Sequence, residues 1–114
     1  MEYMLLLVGD EKADRQLPEE EQKRIIEEHF AFSDRLRADD AHVYGVALDA
    51  SSTATTVDVA AGGAITDGPF AETAEQIGGI YFIRADDLDE AIEWAKQIPV
   101  SPGLRVEVRP VINM

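Results

Sequence analysis

The sequence predicts an α+β domain of the ferredoxin-like class, an antiparallel sheet with two helices on one face. Three observations predict it. Two segments carry helical periodicity, at 18–38 and 88–98; short apolar or alternating runs flank each; and no linker, repeat or low-complexity tract interrupts the 114 residues. A chain of this length makes one domain, residues 1–114, and buries roughly two thirds of its unfolded surface around a single core.

Tyr3 to Val8 is almost continuously apolar and ends at Gly9 and Asp10, the pattern of a strand covered on both faces. After a polar connector, Pro18 suits the first helical position, and Glu19, Glu20 and Glu21 suit the positive end of the helix dipole. The helix is expected over Pro18 to Ala38. Ile25, His29, Phe32 and Leu36 recur along one stripe, Ile26 and Phe30 widen it, and Asp39 and Asp40 end it. Val43 to Leu48 reads as a second strand. Thr55 to Ala60 turns at Gly62-Gly63 into Ala64 to Thr66, a hairpin.

An irregular segment from Ala71 to Ile77 precedes a strand over Gly79 to Arg84. Asp87 and Glu90 stand in capping-box relation, so the second helix begins at Leu88; Pro99 and Pro102 stop it after Ile98. Leu88, Ala91, Ile92 and Ala95 share one of its faces. In the last strand Leu104, Val106 and Val108 alternate with Arg105, Glu107 and Arg109, giving one apolar and one charged side.

Two helices on one face leave the other sheet face open, and the first strand and residues 80–83 carry apolar side chains toward both sides. Such a surface is an interaction surface, and a second copy would cover it. An obligate homodimer is expected.

Composition narrows the function. Acids outnumber bases 23 to 10, for a formal net charge of −13, so direct binding to nucleic acid or an anionic membrane is disfavoured. There is no cysteine, hence no disulfide, thiol nucleophile or zinc–thiolate site. The apolar run near the start is too short to span a bilayer and has no basic segment before it, so a cytoplasmic protein is expected. A phosphate loop, a nucleophile elbow and an HExxH motif are all absent, and two histidines thirteen residues apart make a poor metal signature. No cofactor and no metal are expected.

Two residues stand out chemically. His29 lies on an apolar helical stripe, where it is either a satisfied core histidine or a general acid–base at the edge of a cavity. Asp67 opens the turn Asp67-Gly68-Pro69-Phe70, which glycine and proline stiffen. Its carboxylate either fastens the turn or faces a pocket and pairs with His29. Phe70 reads as a core plug or as a stacking platform beside Gly68 and Pro69 in a substrate pocket. Gly78-Gly79 marks either a bulge or a close backbone approach. His42, at a strand entrance, reads as exposed.

The segment DGPFAETAEQIGGIYFIRADDLDEAIEWAKQIP resembles the YCII-related, DGPF-domain family. The opening YMLLLVGDE, the middle ALDASSTATTVDV and the closing VEVRPV are similar to it as well, so the resemblance spans most of the chain. It implies a ferredoxin-like domain that dimerises into an α/β barrel. It also implies a His–Asp pair in a cleft, with His29 at the family's helical histidine and Asp67 as the candidate aspartate.

Two functions follow as expectations. One is a cofactor-free enzyme of lyase or dehydrochlorinase type on a small molecule, with Asp67 orienting His29. The other is a non-catalytic ligand-binding or regulatory module associated with a sigma factor. Leu17 stands where relatives carry a Ser or Thr cap, a difference worth about 1 kcal/mol of helix-end stability.

Overall fold

The structure, a computed structural model, describes residues 1–113. The strands are β1 (Glu2–Asp10), β2 (His42–Ala47), β3 (Thr55–Asp58), β4 (Ala64–Asp67), β5 (Glu75–Arg84) and β6 (Arg105–Pro110). The helices are α1 (Glu11–Arg15), α2 (Glu19–Ala38) and α3 (Leu88–Ala95). Four strands form an antiparallel sheet in the order β2-β5-β1-β6, while β3 and β4 pair only with each other. The architecture is mixed α+β and compatible with the ferredoxin-like class.

β1 shows how the sheet divides its two sides. Tyr3, Leu5 and Leu7 are buried, whereas Met4, Leu6 and Val8 are only partly covered. The expected coverage on both faces is therefore replaced by strict alternation within one chain. Tyr3 and Leu5 pair with Ile83 and Tyr81, and all four face the helices. Met4 and Leu6 pair with Phe82 and Ile80, which in turn pair with Tyr44 and Val46 of β2. These six apolar side chains share the open face, and Arg105, Glu107 and Arg109 of β6 border it.

The core is aromatic. Phe32 meets Tyr81 edge to face at 5.0 Å and Trp94 at 6.1 Å, between α2, α3 and the sheet. α2 starts one residue later than expected, with Pro18 at the cap position and no side chain capping it, as the absence of Ser or Thr there implies. The Gln22 side-chain amide donates to the Leu17 carbonyl at 2.9 Å, which ties the first turn to the chain before it but satisfies none of the helix's free N–H groups. α3 is shorter than the sequence suggests, ending at Ala95. Its packing residues are Ala91 and Trp94, while Leu88 is exposed. Asp87 accepts from the Glu90 amide at 2.9 Å, so the expected cap forms. The polar connector after β1 folds into α1, which Asp10 caps through the Ala13 amide.

Candidate functional site

α2 lies across the sheet with unequal closeness along its length. Phe32 and Leu36 are fully buried. Ile26 and Phe30 are exposed, so they do not widen the buried stripe as expected, and Ile25 and His29 on the stripe itself are only half-buried. His29 sits at the changeover, half-buried, and lines two adjoining cavities of about 260 and 280 Å³. The second runs between α2 and strands β2 and β5, past Ser33, Gly45, Gly79 and Tyr81. The first opens at the sheet's end beside Asp10, Glu11, Asp14, Arg15 and Asp49.

The partner of His29 is Tyr81. Its hydroxyl lies 2.7 Å from Nδ1, and the two ring planes are inclined by only 14°. Both groups feel their burial. Desolvation lowers the His29 pKa below its ordinary value, against the opposing pull of the Glu28 and Asp14 carboxylates. Desolvation raises the Tyr81 phenol, with the Ser33 hydroxyl acting in the other direction. At neutral pH the pair is thus a neutral imidazole against a protonated phenol.

Glycines make room for this arrangement. A Cβ at Gly45 would stand 2.7 Å from the Tyr81 ring, so the ring lies where a side chain of β2 would otherwise be. A Cβ at Gly79 would stand 2.9 Å from the Val46 carbonyl oxygen. Gly78 meets nothing and falls at the register shift between Leu7 and Val8. Both readings of Gly78-Gly79 are thereby found, one at each glycine.

The carboxylates around the first cavity differ in freedom. Asp10 caps α1, Glu11 accepts from the Ser51 amide and hydroxyl, and Asp49 holds the Ala50 amide. The Asp14 carboxylate has no hydrogen bond or ion pair among the described residues, and its field reaches His29. Among the described residues Arg15 is the only lysine or arginine on these walls. No group of His, Cys, Asp and Glu suited to a metal ion occurs among the described residues, and no helix is long and apolar enough to cross a membrane.

Asp67 ends β4, exposed, and lines neither cavity. The turn after it is tied by the backbone instead: Gly68 N donates to the Ala54 carbonyl at 2.7 Å, and Thr56 Oγ1 donates to the Gly68 carbonyl at 2.8 Å. Gly68 takes a φ of 107°, which favours glycine. Gly68 and Pro69 are half-buried, and none of the three residues after Asp67 lines the cavities. Phe70 is 95% exposed, so the core-plug reading fails: the hairpin carries the ring away from the packed layers. His42 is partly covered, and burial followed by the nearby Arg37 charge lowers its pKa.

Sequence reasoning missed Tyr81, Gly45 and Asp14. Glycine inside the β-branched and aromatic run HVYGVA was the available signal for a close approach. Tyr81 read as one more apolar strand residue, and Asp14 lay in a stretch with no periodicity.

The family model of the YCII-related domain matches residues 1–114. A relative from Rhizobium meliloti (strain 1021), described as "Uncharacterized protein R00369", is 35% identical over 115 residues, covering 97% of this chain and 92% of the relative.

Proposed function

The chain belongs to the YCII-related family, and we propose that it binds a small molecule beside His29 and catalyses proton transfer on it without a cofactor. One observation carries this reading: a neutral histidine, fixed by Tyr81 at 2.7 Å, on the shared wall of two cavities, one lined mainly by apolar residues and the other by apolar and acidic residues together. In the productive tautomer Nδ1–H donates to the Tyr81 oxygen, which leaves the Nε2 lone pair to accept a proton from the guest. The imidazolium so formed keeps its bond to Tyr81 and is stabilised by the Asp14 and Glu28 carboxylates. Returning that proton to another atom of the guest completes an isomerisation; giving it to a basic leaving group, or to water as chloride departs as the anion, completes an elimination of lyase or dehydrochlorinase type.

Asp14, rather than Asp67, takes the carboxylate's part in this reading, because it shares the cavity wall with His29. The apolar lining favours a compact aromatic or alicyclic guest with one acidic C–H or O–H. A panel of such compounds, followed in deuterated water by mass spectrometry, tests the reading. Exchange or elimination should fall by roughly 10²- to 10⁴-fold in His29→Ala. Turnover that survives that substitution would sink the mechanism. Binding without turnover would support the non-catalytic, regulatory alternative instead.

The open sheet face supports a homodimer. Tyr44, Val46, Ile80, Phe82, Met4 and Leu6 form an apolar surface that a second copy can cover sheet to sheet, closing an α/β barrel. Sedimentation equilibrium should return twice the chain mass; a stable monomer would overturn the assembly.

A further inference from the structure

We propose that the β3–β4 hairpin is an intermolecular arm that clasps a second copy of this chain. The inference rests on the homodimer reading and extends it to a segment outside the sheet.

The hairpin is poorly covered by its own chain. Every residue of β4 is exposed, Val59 and Ile65 are 83% and 71% exposed, and Phe70 extends further still. The molecule measures 43 × 43 × 18 Å with a radius of gyration of 15.6 Å, against about 13 Å for a compact chain of this length. A two-stranded hairpin standing alone in water is marginal at best, and both of its edges are open to pairing.

Yet this one is built to hold its form. Asp58 accepts from the Ala61 amide at 3.0 Å, and Gly63 N donates to the Asp58 carbonyl at 2.9 Å across the turn. Glu11 fastens its base through Ser51. A preorganised apolar arm of this kind suits permanent rather than occasional cover.

Charge selects the occupant. Between residues 50 and 74 there is no Lys or Arg, and Asp58, Asp67 and Glu72 are the only charged residues. The open sheet face carries the chain's matching surface: an apolar field bordered by Arg105, Glu107 and Arg109, the last two paired at 3.6 Å, with Arg84 at its corner opposite Glu2. Arg84 and Arg105 form no ion pair among the described residues. Leu48, just after β2, is exposed as well. An arm crossing to the other copy sets Val57 and Ile65 against the margin of that field and brings Asp67, on the same face of the hairpin, to the arginines of the border.

Sedimentation equilibrium on four proteins tests this: the unaltered chain, Val57→Asp/Ile65→Asp, Arg105→Glu/Arg109→Glu, and the latter combined with Asp67→Arg. The arm variant should weaken the dimer about tenfold or more. Arginine reversal should weaken it too, and the combined chain should recover. Far-UV circular dichroism establishes that each variant is folded. For the unaltered protein, amide exchange over 55–67 should slow above the dimer dissociation constant relative to below it. Unchanged dimerisation in the arm variant, unchanged exchange, or no recovery in the combined chain overturns the arm while leaving the sheet-to-sheet dimer standing. A monomeric unaltered chain overturns both.

Discussion

The two halves of α2 lie over the same sheet and do opposite things. In the C-terminal half Phe32 and Leu36 are fully buried, and Phe32 is held edge-on between Tyr81 and Trp94. Nearer the N-terminus Ile25 and His29, on the same stripe, are only half-buried and look onto open cavities. One helix therefore supplies both a seal and a roof. A cavity persists beside a well-packed core because the aromatic cluster fixes the helix, and the far half need not settle onto the sheet.

The largest effect that would sharpen this contrast is Phe32→Ala, which should cost roughly 3–5 kcal/mol by chemical denaturation. A loss below about 1 kcal/mol would mean that the aromatic cluster does not anchor the helix. Next is Gly45→Ala. Its new methyl meets the Tyr81 ring, so roughly 1–3 kcal/mol should be lost. The His29–Tyr81 bond should also be disturbed, seen as a changed imidazole resonance by NMR. An unmoved resonance would break the link between the glycine and the pair. On the roof side Ile26→Ser should cost only about 0.5 kcal/mol despite the size of the side chain removed. A value near that of Phe32→Ala would erase the distinction between the two halves.

The smallest effect is a slope with pH. The His29 pKa is lowered from 6.5 by burial, so the unfolded chain binds its proton first. Stability should therefore fall as pH drops from about 6.5 toward the depressed folded value. His29→Gln should remove this part of the slope, and His42, shifted in the same direction, should retain its own part. Identical slopes in the two proteins would mean that His29 is not desolvated.

The sequence carried the order of elements because period and punctuation are local. The stripe from Ile25 to Leu36, the Asp87 cap and the alternation of β6 all appear in the structure near their expected places. It carried His29 as an anomaly on an apolar seam for the same reason. It could not supply Tyr81, fifty-two residues away, because nothing in GGIYFIR distinguishes a tyrosine whose hydroxyl meets a histidine from one that merely packs. Asp67 drew attention through its stiff turn, a local property, whereas membership of a cavity is decided by register and by where a hairpin projects. Trp94 was missed on α3 because the four smaller apolar residues there made a cleaner stripe than the one that packs.

Glu11 has two neighbours of different kinds. Its carboxylate forms part of the wall near His29 and, at 3.1 Å, accepts from the Ser51 amide that anchors the hairpin. If the arm joins two subunits as proposed, a guest that drew this carboxylate toward itself would release that anchor, and filling the void and joining the subunits would be thermodynamically linked, each altering the other by the same factor. Titrations repeated at several protein concentrations would reveal the linkage as a drifting guest affinity; a constant one would mean the two events are independent.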